Sequence, residues 1–141
     1  MPALNFQKQF APAVEDGSKP QSIRANRKCP FKAGDRLFFY TGQRTKYCRK
    51  LGESVCTEAS DIEIYQGYGF WRVLINYRLL ELVEIADLAR ADGFQSVNDF
   101  FAFFDRGADG FKGQIIHWRT PISMRLTRRV LRFFRKALSK K

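Results

Sequence analysis

Residues 17–46, GSKPQSIRANRKCPFKAGDRLFFYTGQRTK, alternate short β-compatible runs with basic residues and glycine turns. A stretch built this way confines the chain to a fold with a sheet at its centre. It predicts strands over 21–25 and 37–41, joined as a pair through Lys32-Ala33-Gly34-Asp35, where the glycine supplies the left-handed backbone position of a tight reversal. The pair would carry Lys19, Ser22, Arg24, Arg27 and Lys28 near one end and Arg44, Lys46 and Arg49 beyond the second strand. Cations gathered in this way make a surface that handles phosphate.

Charge and length bound the rest. The 141 residues carry a net charge of +11, which points to a polyanionic partner; an anionic membrane surface would also attract it. Of the 25 basic residues, nine lie from Arg119 onward with no acid among them, leaving 16 against all 14 acids over residues 1–118. The excess is therefore mostly a tail. Fourteen phenylalanines exclude a disordered polypeptide, and the length suits one domain over 1–118 followed by the segment 119–141. No run is long enough to span a membrane, and the first residues lack the pattern of an export signal, so a cytoplasmic protein with reduced thiols is expected.

Along the chain, Leu4, Phe6, Phe10 and Val14 fall near helical spacing with Asp16-Gly17 as a stop, predicting an N-terminal helix packed by Phe6 and Phe10. Residues 47–55 read as a polar loop, 54–65 as a strand, Gln66-Gly67-Tyr68-Gly69 as a turn, and 70–80 as the returning strand of a hairpin. A helix follows over 82–91 and stops at Asp92-Gly93. Ser96 caps a second helix through Phe104, with Asp99 in the capping-box position. Phe100, Phe101, Phe103 and Phe104 read as core, and 113–118 as a last strand. Beyond Pro121, Met124, Leu126, Val130, Phe133, Phe134 and Leu138 share a face among arginines. That is a basic amphipathic helix, suited to docking on the domain, self-association or contact with nucleic acid.

The order of the first helix, Lys19-Pro20-Gln21-Ser22-Ile23-Arg24, Lys32-Ala33-Gly34-Asp35-Arg36-Leu37, a strand pair, Ala91-Asp92-Gly93-Phe94 with Phe100 to Phe104, and Ile115-Ile116-His117-Trp118 resembles the ASCH domain. The segment Tyr40-Thr41-Gly42-Gln43-Arg44-Thr45-Lys46 with Cys48-Arg49-Lys50-Leu51-Gly52 is similar to the version common in bacteriophage genomes. The likeness covers residues 4–118. It implies an α+β fold, a PUA-like β-barrel with flanking helices, here followed by the basic C-terminal helix. It also implies binding of RNA or a modified nucleoside along a groove between barrel and helices. Small members that hydrolyse N4-acetylcytidine carry Lys-x-x-Thr and a later Glu, and the resemblance sets Lys19, Ser22 and Asp92 at those three positions. Serine replaces threonine, aspartate replaces glutamate, and Pro20 intervenes, so an amidohydrolase and a binding module remain the two readings.

Arg24 serves either one, because a guanidinium on a groove-facing strand takes a phosphate or a base edge bidentately. Arg27, Lys28, Arg44, Lys46 and Arg49 complete the expected nucleic-acid contacts. Cys29, Cys48, Cys56 and His117 lack the close-pair spacing that nucleates a zinc site, so buried thiols are expected, with neither metal nor cofactor. His117, between Ile116 and Trp118, is expected at a groove or surface. Tyr40, Tyr47, Tyr68 and Trp71 are candidates for stacking on a base, about half of them core instead.

Overall fold

Alternation and turn chemistry set the elements over residues 3–119, which the computed structural model describes. In chain order they are β1 (Ala3–Phe6), α1 (Ala11–Asp16), β2 (Gln21–Ala25), β3 (Arg36–Thr41), β4 (Arg49–Gly67), β5 (Phe70–Ile75), β6 (Arg78–Leu79), α2 (Leu82–Ala91), α3 (Val97–Phe103), a 3₁₀ turn (Gly107–Asp109) and β7 (Phe111–Trp118). The predicted basic helix of the tail lies outside the described residues.

The N-terminal reading is corrected in part. Leu4 and Phe6 are buried while Ala3 and Asn5 are exposed, a period of two that makes a strand, and the helix begins only at Ala11. Gly17 ends that helix at φ 81, donating its N–H to the Val14 carbonyl. β2 and β3 exist as predicted, but they do not pair. β2 runs antiparallel to β7, with Ser22 opposite Ile116, while β3 lies between β1, parallel to it, and β4, antiparallel. The turn between them is held from outside: Gly34, at φ 96, donates to the Cys56 carbonyl, and Cys56 donates back to Asp35.

The polar loop predicted over 47–55 is strand from Arg49 onward. Arg49, Lys50 and Glu53 are exposed on a sheet surface, and the charges tie across it, Arg36 and Lys50 both to Glu53. The run 70–80 is broken at Asn76 and Tyr77, which take φ 49 and 67 and reverse the chain into β6. Both helix ends follow local chemistry. Glu81 and Glu84 form a capping box at α2, and Ser96 accepts the Asp99 N–H at 3.1 Å to start α3.

The sheet runs β2-β7-β4-β3-β1, with β5 and β6 extending from the C-terminal half of β4. β7 is buried on both faces. Ile115 joins Ile62, Ile64, Val73 and the apolar stripes of α2 and α3, whereas Ile116 and Trp118 join Leu4, Phe6, Leu37 and Phe39. Each fully buried side chain of this size contributes about 1.5–3 kcal/mol, so two cores lean on one strand. Phe100, Phe101 and Phe104 lie in the first core, as expected of phenylalanines, while Phe103 is partly buried against it. Trp71, one of the four candidates for stacking on a base, is instead packed face to face on Phe101 at 4.8 Å. The result is a mixed α/β domain. Among the described residues no helix is long and apolar enough to cross a membrane.

Candidate functional site

β1 and β2, the two ends of the strand order, are each paired on one side only among the described residues. Arg24 reaches from one to the other. Its Nη1 donates to the Asn5 carbonyl at 2.9 Å, its Nε donates to Ser22 Oγ at 2.8 Å, and its guanidinium lies 4.7 Å from the centre of the Phe6 ring. Below this brace is a cavity of about 260 Å³, lined from β1 and β2 and from the end of α2 and the face of α3.

Lys19 enters it from the segment between α1 and β2. Its backbone N–H is fixed by the Ala13 carbonyl, and the following Pro20 holds it extended. Asp92 enters from the C-terminus of α2, with its N–H still bonded to Leu88. A carboxylate there opposes the helix dipole, so it is not placed for the helix's sake. The Lys19 ammonium lies 3.2 Å from Asp92 Oδ1, donates to the Asp92 main-chain carbonyl, and sits 5.1 Å from the centre of the Phe10 ring. Lys19 is 3% exposed and Asp92 4%, so both charges have left water.

Burial dominates the electrostatics. It pushes the Lys19 ammonium below its ordinary value, against the opposing pull of Asp92, and pushes the Asp92 carboxyl up, against Lys19, the Gln21 amide and Arg24. It also brings the Arg24 guanidinium down to about 10, which leaves it cationic at neutral pH. Asp92 Oδ1 has the ion pair but no aligned hydrogen bond among the described residues. It is a buried acceptor beside buried donors, the arrangement that asks for a ligand carrying both.

The remaining wall is aromatic. Phe10, Phe94 and Phe103 meet edge to face at 5.3–6.1 Å. Gly93, at φ 97, lets Phe10 close against the end of α2, since a Cβ there would stand 3.0 Å from that ring.

The structure thus places Lys19 and Asp92 in contact and Ser22 on the same cavity, with Arg24. The other expected cations lie elsewhere. Arg27 covers the Phe31 ring at 4.6 Å, and Lys28 is exposed on the same loop. Arg49 is paired to Glu15 at 2.8 Å and lines a neighbouring groove, while Arg44 and Lys46 sit exposed on the loop before it. Cys29 and Cys48 are exposed rather than buried, and Cys56 is buried. The described residues contain no metal-holding cluster of His, Cys, Asp and Glu. His117 is half-buried, and burial lowers its pKa. Sequence reasoning missed Gln21, a buried amide beside Asp92, and Asn5 and Phe6. Nothing local marked any of the three: Gln21 stands between Pro20 and Ser22, where a polar side chain is ordinary.

No family model, curated protein or solved structure matches the chain.

Proposed function

We propose that this protein recognises a single nucleobase, carried by RNA or by a modified nucleoside, in the cavity between β1, β2 and α2–α3. The observation that carries the reading is the buried Lys19–Asp92 pair, flanked by Arg24 and Ser22, in a cavity of about 260 Å³ to whose wall five phenylalanines contribute. That volume lies just below the roughly 300–1,000 Å³ of drug-sized sites, which suits one base and excludes a stack of them. A base is flat and apolar on its faces and presents adjacent donors and acceptors on its edge. Phenylalanine walls match the faces; Asp92 Oδ1 and the Lys19 and Arg24 donors match the edge. What favours the PUA-like barrel implied by the ASCH resemblance is the reach of Arg24 from β2 to β1 and the packing of α2 and α3 on one face of β7.

The test is calorimetric titration with the four common nucleosides and N4-acetylcytidine. Binding that is lost in both Lys19→Met and Arg24→Gln, with the fold intact by circular dichroism, is the expected result. Failure of every nucleoside to bind overturns the reading.

A second reading, an amidohydrolase acting on N4-acetylcytidine, is favoured by one feature: burial moves Lys19 toward the neutral amine, which can take a proton. Ser22 Oγ accepts from Arg24 and keeps its own proton to give, so Ser22 or a water it orients is the nucleophile. Water would add across the amide, releasing acetate and cytidine. The rate should rise with pH up to a plateau set by Lys19, below the ordinary lysine range, and Lys19→Arg should release no acetate. Unchanged acetate release in Lys19→Arg would remove this reading.

A further inference from the structure

The cavity shares a wall with a second, larger space. Asn5, Phe6 and Gln7 line both the base-sized cavity and a groove of about 900 Å³ between the start of α1 and the loop that joins β3 to β4. The loop is built rather than slack. Gln43 donates its N–H to Asn5 Oδ1 at 2.9 Å, Thr41 Oγ1 donates to the Phe6 carbonyl at 2.8 Å, and Thr45 Oγ1 donates to the Gly42 carbonyl while accepting the Tyr47 N–H. Gly42 is required there: it sits at φ 67, and a Cβ would stand 2.9 Å from the Tyr47 carbonyl. All of this bonding fixes a tyrosine that is 73% exposed. The Lys46 ammonium lies 5.2 Å from the centre of its ring, and Lys8 and Arg49 also line the groove, Arg49 being oriented by Glu15.

Resting on the single-base reading of the smaller cavity, we propose that this groove is a subsite for the nucleotide adjoining that base, and that the ligand is a single-stranded polynucleotide rather than a free nucleoside. The smaller cavity has room for one base and no more. A strand that inserts a base beside Asn5 and Phe6 must leave over the residues that the groove shares. There it meets an exposed aromatic face with cations around it, the combination by which single strands are gripped: bases stack on the ring and phosphates face the charges. A free nucleoside would use neither Tyr47 nor Arg49.

The experiment compares the parent and Tyr47→Ala, as full-length chains, for binding of a nucleoside and of the trinucleotide with that nucleoside at its centre, in ribose and deoxyribose forms. The nine cations from Arg119 onward attract any polyanion, equally in both proteins, so the readout is the change in the ratio of trinucleotide to nucleoside affinity. Loss of the stacking partner should lower that ratio about tenfold. Arg49→Gln should lower it too and flatten the salt dependence of the trinucleotide alone. An unchanged ratio in both variants overturns the subsite while nucleoside binding that depends on Arg24 still stands. Absence of nucleoside binding, with trinucleotide affinity indifferent to Arg24→Gln, instead overturns the single-base reading beneath it. The ribose and deoxyribose arms tell RNA from DNA.

Discussion

Asp92→Asn is the most informative perturbation of the fold, because it removes a charge and almost no volume. At 3.2 Å the attraction between Lys19 and Asp92 is about 5 kcal/mol with an effective dielectric of about 20. The variant also escapes the cost of burying a carboxylate, and it leaves the Lys19 bond to the residue 92 main-chain carbonyl and the nearby Phe10 ring in place. What remains is a buried ammonium without its counterion, for which the expected loss is about 3 kcal/mol, at the low end for a broken buried pair. The loss depends on pH with a definite sign. Without Asp92, the folded-state pKa of Lys19, already depressed by burial, falls further. Between that lower value and the parent's, the unfolded chain holds a proton that the folded variant has released. Rising pH therefore stabilises the variant relative to the parent, by at most about 1.4 kcal/mol per pH unit. Urea denaturation of both proteins from pH 6 to pH 10 measures the difference. Lys19→Met combined with Asp92→Leu should recover most of the stability, since an apolar pair of similar size pays no desolvation cost. A single-variant loss below about 1 kcal/mol, or a double variant as unstable as the single, would refute the claim that the two groups form one buried unit.

Arg24→Gln removes two charge-assisted hydrogen bonds, one to Asn5 of β1 and one to Ser22 within β2, and should cost about 1–3 kcal/mol in denaturation, together with nucleoside binding. Gly93→Ala forces a left-handed backbone onto a residue with a Cβ and pushes Phe10 aside; a loss of about 1–2 kcal/mol and weaker nucleoside binding are expected by melting and calorimetry. Ser96→Ala removes the α3 cap and should cost about 1 kcal/mol with binding unaltered, which checks that the assays separate stability from recognition.

What could be read from the sequence was local. The stop at Asp92-Gly93, the Ser96 cap and the turn before Phe70 each follow from two or three adjacent residues, and each is where the sequence puts it. Pairing is not local. Nothing in 21–25 distinguishes β3 from β7 as a partner, and proximity in the chain favours β3 although the partner, β7, lies some ninety residues on. Polarity misled for the same reason at Arg49–Glu53, where a strand exposed on one face carries the composition of a loop. Leu4 and Phe6 fit two periods equally well until Phe39 and Trp118, which pack with them in one core, are taken into account. The cavity residues divide along the same line. Lys19 and Asp92 are 73 positions apart, and no periodicity joins them; the expectation that they share a site rests on the resemblance to the ASCH domain alone.

That the cavity lies at β1 and β2 follows from the topology. Every other neighbouring strand pair in the order β2-β7-β4-β3-β1 is joined by a backbone ladder, which leaves no space for a ligand between the strands. Between β1 and β2 there is no ladder, and the hydrogen bond from Arg24 to the Asn5 carbonyl links the two strands through a side chain. Main-chain polar groups along such edges seek partners, and a chain that leaves them open exposes itself to pairing with other molecules. Here Phe6, Phe10 and Phe94 and the buried Lys19–Asp92 pair line the space beside these edges, and on the reading proposed above they are its recognition groups. On that reading binding is tied to the integrity of the sheet ends: any change that pairs β1 with β2 directly would stabilise the domain and abolish the proposed recognition together.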